Sequence, residues 1–181
     1  MCNIYNRQQL CLMNRIRQLC SQHVYWTRFL IISTAADLPD LEPVTKRLLK
    51  NPKDFAKLLT PIYSVRVASR FDELFTAHLL IAADLVGAAK KGEAEKVNHS
   101  RVLWYKNADE IACFLHSVNR CWDEAKWKKM LYCHLEMTER EATLCLQGNY
   151  SADITAFDEI ENEALKMADY MFFGIIKSNL R

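Results

Sequence analysis

The sequence predicts an all-α protein, a closed up-and-down bundle of about six helices with residues 1–181 forming one domain. Three observations predict it. Apolar residues recur at helical spacing, as in Ile16 and Leu19 before His23, Phe71 and Leu74 before His78, and Trp127 and Met130 before His134. Positions seven and four before a residue share its helix face. No alternating apolar and polar run of strand length, enriched in β-branched residues, interrupts this pattern. Stretches of chain also match one another at a constant offset of 56 residues, the mark of a repeated helix pair.

Turn residues divide the chain into segments at roughly 6–35, 40–60, 64–91, 94–118, 122–147 and 150–178. The first is built on Ile16, Leu19, His23 and Val24. The second contains or borders Pro39, Pro43, Pro52 and Pro61 and must be short or broken, since proline lacks the N–H of the helix ladder. The third and fifth carry the frames of His78 and His134 and end at Gly92 and Gly148, which read as C-terminal caps. The fourth opens its matching stretch at Asn107; the sixth shows a stripe of Ile154, Phe157, Glu161 and Leu165. Asn51 and Asn107, each with an acid three residues later, read as helix N-caps.

The repeat runs from Asn51/Asn107 through His78/His134 to Gly92/Gly148, and one further offset sets Ala164, Met167, Ala168 and Met171 on Ala108, Ile111, Ala112 and Leu115. Three helix pairs in circular order follow, one of them split between the chain ends. The last helix therefore packs beside the first, and the three histidine helices run parallel with their rings at similar heights.

Composition narrows the function classes. Half the residues are hydrophobic and a quarter charged, and 24 basic residues stand against 22 acidic ones spread along the chain, which gives no field for a polyanion and argues against nucleic acid. Seven scattered cysteines without a Cys-x-x-Cys pair suit a reducing cytoplasm. The first seven residues contain no apolar run, and the stretch from Leu79 to Ala89 is cut by Asp84, which predicts neither a signal peptide nor a membrane span. The four glycines, Gly87, Gly92, Gly148 and Gly174, are not clustered into a phosphate cradle, so no nucleotide cofactor is expected.

Three imidazoles converging from parallel helices form a plausible first shell for a divalent metal, zinc or iron, with His23, His78 and His134 as ligands. Glu141, two turns past His134, and Asp158 or Glu161 on the last helix would add a carboxylate ligand or base, as in a metal-dependent enzyme. The familiar spacings Glu-x-x-His, His-x-x-x-His and His-Glu-x-x-His are missing. The competing reading is a non-catalytic binding or assembly protein, for a small molecule or a protein partner, whose buried histidines are hydrogen-bonded core residues. Thr27 and Thr138, each four past a histidine, are expected to bond back to the helix carbonyl. Arg28 and Trp26 suit a pocket for anion recognition and stacking or, more plainly, surface and core, and the basic run Lys46 to Lys57 a solvated face.

The phrases HVYWTR at 23–28, HLLIAADLV at 78–86, NADEIA at 107–112 and ALKMADYM at 164–171 resemble those of a small group of bacterial all-helical proteins with no established activity. The resemblance spans about Arg15 to Lys177 and implies a helical bundle and a soluble bacterial protein. It implies nothing about a site.

Overall fold

The structure, a computed structural model, describes residues 5–178; Cys2 lies outside them. Among the described residues there are seven helices and no strand: α1 Arg7–Ala35, α2 Leu41–Leu48, α3 Asn51–Leu59, α4 Val65–Lys90, α5 Ala94–Val118, α6 Glu124–Leu146 and α7 Tyr150–Ser178. The one difference in helix count lies in the proline-rich second segment, which is two short helices. Pro52 sits in the first turn of α3, where its missing N–H costs nothing, so a new helix starts there.

Local chemistry accounts for the ends. Asn6 and Gln9 form a reciprocal capping box at the start of α1, and Ser64 and Asp123 accept from the backbone N–H groups of Val67 and Lys126 to open α4 and α6. Gly92 and Gly148 have φ of 71° and 73°. In each case the next residue's N–H reaches five residues back, Glu93 to the Ala88 carbonyl and Asn149 to that of Leu144, which closes the helix in the manner expected of a glycine in the left-handed region.

Helix α7 packs between α1 and α6, α5 lies between α4 and α6, and α2 and α3 cover α1 and α4, so the bundle closes on itself as an all-α fold. The three long histidine helices α1, α4 and α6 also touch one another inside this ring. Ile31, Val86 and Ala142, each eight positions past a histidine, share one apolar cluster. Because the three histidines also meet, eight residues earlier on each helix, α1, α4 and α6 run in the same direction.

The buried stripe of α7 is Asp153, Ala156, Ile160, Ala164, Ala168, Met171 and Ile175. It is not the stripe of Ile154, Phe157, Glu161 and Leu165 expected from bulk alone. Ile154 is 55% exposed. Alanines carry little hydrophobic signal in the sequence but let α7 sit close against two neighbours at once. Near its C-terminal end the approach is closer still, because Trp122, from the loop between α5 and α6, packs directly against Gly174 and donates from Nε1 to the Met171 carbonyl at 3.1 Å. A Cβ at Gly174 would fall 1.8 Å from Trp122 Nε1. Gly174→Ala is therefore expected to lose at least ~1–3 kcal/mol in urea denaturation, since the indole must leave both its seat and its acceptor. Stability equal to that of the parent chain would show that the contact is not needed.

Candidate functional site

The centre of the bundle is where the three histidines arrive, and each comes from the same register of its helix. Apolar residues on the same face, Leu19, Leu74 and Trp127 among them, bury these turns and carry the imidazoles inward. His78 and His134 are buried, and His23 stands at the edge of the core with its Nδ1 shielded from solvent. His23 Nε2 lies 3.3 Å from His134 Nε2. Burial, which penalises the charged ring, holds His78 down to about 3 and His134 to about 4, and it lowers His23 well below the usual range with help from the two neighbouring imidazoles. All three are neutral at pH 7.

Their hydrogen bonds separate them into one completed ring and one incomplete pair. The Asn107 side chain donates from Nδ2 to the Leu74 carbonyl at 3.1 Å, which leaves its Oδ1 to accept from His78 Nδ1–H at 2.9 Å. The Trp104 indole N–H then donates to His78 Nε2 at 3.2 Å. Both nitrogens of His78 are thus engaged and its tautomer is set. Within the His23–His134 pair only one Nε2 can carry the bonding proton, and the Nδ1 atoms of both rings are buried without a partner.

Two cavities flank the pair. One, of about 20 Å³, is bounded by His23, His78, His134, Thr138 and Trp104 and has room for a single water. The other, of about 80 Å³, has the same three histidines on one side and Phe71, Trp127 and Met171 among its apolar walls. The Trp127 indole N–H is also buried without a partner. No Asp, Glu, Lys or Arg lines this larger cavity. The one thiol there, Cys20, is pushed up to about 12 by burial and then by Asp169, and is uncharged.

The six residues expected to form one centre do not come together. His23, His78 and His134 meet as anticipated, but Glu141, Asp158 and Glu161 lie elsewhere. Glu141 is inward-facing, 1% exposed, yet two turns from the imidazoles, where it accepts from Arg28 Nη1 at 2.7 Å. Asp158 is exposed, and Glu161 is at the surface accepting from the Tyr25 hydroxyl. The physical reason is the shift of the α7 stripe, which turns Asp153 inward in their place. Among the described residues, no three His, Cys, Asp or Glu side chains are grouped as a metal ion would require.

The Asp153 carboxylate is instead gripped by both Nη atoms of Arg28, at 2.9 and 3.0 Å, making with Glu141 a buried triad. Burial pushes Glu141 up to about 7 against the lowering pull of Arg28. In the sequence Asp153 is not singled out, and Arg28 suits either anion recognition or the surface; the structure gives Arg28 two buried carboxylates. The available signal was the spacing of Asp153 with Ala156, Ile160 and Ala164.

Two smaller expectations are settled by the same contacts. Thr27 and Thr138 donate to the carbonyls of His23 and His134, as expected of threonines within helices. Asn51 and Asn107 are not N-caps. Asn107 lies inside α5, and Asn51 donates from Nδ2 to the Leu19 carbonyl at 2.9 Å. Both cross to a neighbouring helix because a long helix continues through position 107 and Lys50 already serves as cap to α3.

Compared with known proteins, the chain matches no protein-family model, no curated protein and no solved structure. The arrangement itself therefore carries the functional reading. Chemically it is an uncharged, almost wholly apolar chamber beside a histidine pair that burial keeps neutral.

Proposed function

We propose that this chain is a non-catalytic binding bundle which takes a small uncharged molecule into the larger cavity, against His23 and His134. The observation that carries this reading is the space itself, about 80 Å³ at the centre of the bundle, with almost wholly apolar walls and no charged side chain among the residues that line it. An empty apolar space leaves its lining atoms without packing partners, so an uncharged occupant that fills it is favoured. The walls select against charge, because a bare ion there would lose its hydration with no counter-charge to replace it. A volume of about 80 Å³ suits a molecule of about three to five heavy atoms.

The experiment is an NMR titration of the protein, isotope-labelled at histidine and tryptophan, with 1-butanol, propanoate and butylammonium. Saturable shifts of the His134 and Trp127 side-chain signals with the alcohol alone are expected. A response to the charged compounds instead would overturn the selection against charge, and no saturable response to any would mean that the chamber holds water only.

A metal reading keeps one observation in its favour. Two imidazole nitrogens on a tetrahedral zinc are about 3.3 Å apart, the separation of His23 and His134 Nε2. Elemental analysis of untagged protein, beside His134→Ala, tests it: near-stoichiometric zinc or iron lost on substitution would favour the ion over the neutral molecule.

The same proposal takes the bundle as three related helix pairs, supported by the equivalent Asn51 and Asn107 bonds and by the shared cluster of Ile31, Val86 and Ala142. It places the protein in a reducing cytoplasm, which suits the free thiols of Cys11, Cys20, Cys113, Cys121, Cys133 and Cys145. Among the described residues no helix is long and apolar enough to cross a membrane.

A further inference from the structure

We infer that the larger cavity is a dry receptor for a short hydrocarbon, a chain or ring of about three to five carbons that offers neither a hydrogen-bond donor nor an acceptor. The inference rests on the binding role proposed above and names the class of molecule that role would serve.

Each polar atom of the lining residues is either engaged or closed off from the space. His78 is bonded on both sides, to Asn107 at Nδ1 and to the Trp104 indole at Nε2. His23 and His134 face each other through Nε2 at 3.3 Å. Their Nδ1 atoms and Trp127 Nε1 have no partner, but all three are buried, shut to a sphere of water's size whether it stands in solvent or in the chamber. The Cys20 thiol, which burial keeps uncharged, behaves as a small hydrophobe. What the space meets is therefore almost entirely carbon and sulfur, from side chains such as Phe55, Phe71, Phe75 and Leu131.

A water molecule in this chamber would give up the two to four hydrogen bonds that a buried water ordinarily makes, so the space is dry. A hydroxyl, amide or ether oxygen carried in by a guest would be stripped of water in the same way and gain no partner in return. Carbon surface, by contrast, leaves water and gains contacts with the walls. Met167 and Met171 add thioethers, polarisable and able to change rotamer around guests of different shape. A diatomic gas would fill too little of the 80 Å³ and leave wall atoms without a neighbour on one side, so a guest of several carbons fits better.

The test compares guests of equal size in the parent protein. Diethyl ether, 1-butanol and n-pentane each have five heavy atoms, and their dissociation constants are read from the methyl signals of Met167 and Met171 in methionine-labelled protein. The alkane is expected to bind at least about a hundredfold more tightly than the ether or the alcohol, because an oxygen stripped of water without a new partner costs far more than one that finds a partner. A smaller ratio would mean that the oxygen is bonded inside, which overturns the hydrocarbon class and leaves the binding role intact. Absence of binding by all three sinks the class and the binding role together. Ala164→Met fills the chamber from α7 and is expected to abolish the pentane shifts. Shifts that survive unchanged in the folded variant would place the guest elsewhere and overturn the inference, while the three-guest comparison decides the class whether or not the variant folds.

Discussion

Lowering the pH from 6.5 to 4.5 is expected to drop the melting temperature by on the order of 10–20 °C. Unfolded histidine titrates near 6.5, whereas in the fold His78 is held to about 3 and His134 to about 4, and His23 is lowered well below its ordinary value. Between those values the unfolded chain binds protons that the folded chain refuses. The stability of neutral burial is therefore fully present above about pH 6.5 and declines as the pH falls, by up to ~1.4 kcal/mol per pH unit for each ring. Glu141 works in the opposite direction. Its folded value, raised from 4.5 to about 7, means that the folded chain holds a proton there which the unfolded chain releases, and this favours the fold as pH falls through that window. Three rings against one carboxyl leave a net uptake of about two protons on unfolding, on the order of 5 kcal/mol over two pH units. That equals the whole stability of a marginal domain. Calorimetry across this range checks it, with His134→Gln expected to reduce the slope by about one proton. A melting temperature that is flat from pH 6.5 to 4.5 would show that the rings are charged or solvated in the fold.

Arg28→Met is expected to cost about 3–5 kcal/mol at pH 8, measured by urea denaturation. The substitution keeps an unbranched apolar stem and removes the guanidinium, the one cation among the described residues bonded to Glu141 and Asp153, whose side chains are each 2% exposed. Two buried carboxylates are then left without counter-charge. At pH 5.5 the loss should be smaller, because Glu141 already favours its protonated form and gains further reason to keep it once Arg28 is gone. Replacing all three members, Arg28→Met with Glu141→Leu and Asp153→Leu, should restore most of the stability. Leu30 and Leu85 stand seven residues past His23 and His78, as Glu141 stands past His134, and both pack as buried apolar residues. The triad therefore looks dispensable for stability but intolerant of being broken. A cost under about 1 kcal/mol for Arg28→Met would mean that water reaches the carboxylates.

The parts of the molecule legible in the chain are those governed by local spacing. The frames around His23, His78 and His134 predicted that these side chains turn inward, and the spacing of Ile31, Val86 and Ala142 follows the same rule. Gly92 and Gly148 announced their helix ends because few residues other than glycine adopt a φ near 70° at ease. The prolines marked the second segment as broken, although not that Pro52 would start a separate helix.

Partnership was far less legible. Glu141 was correctly turned inward, yet its partners are Arg28 and Asp153 from two other helices rather than the histidines. Bulky Ile154 and Phe157 outweigh small alanines in any hydrophobic pattern and so place Asp158 and Glu161 on the expected inner stripe, while the packing of α7 turns on how closely a helix can approach. Asn51 and Asn107 share their residue type and their acidic neighbours with genuine caps, and only the presence of another helix across from them shows that their amides reach outward.

The sequence by itself therefore determined the helices, their direction and the inward turn of three imidazoles, because each depends on the period of the backbone and on residues within a turn or two. Only the tertiary structure decided which polar atoms meet. A hydrogen bond or ion pair is made or missed over a fraction of an ångström, and that distance is set by the packing of helices far apart in the chain.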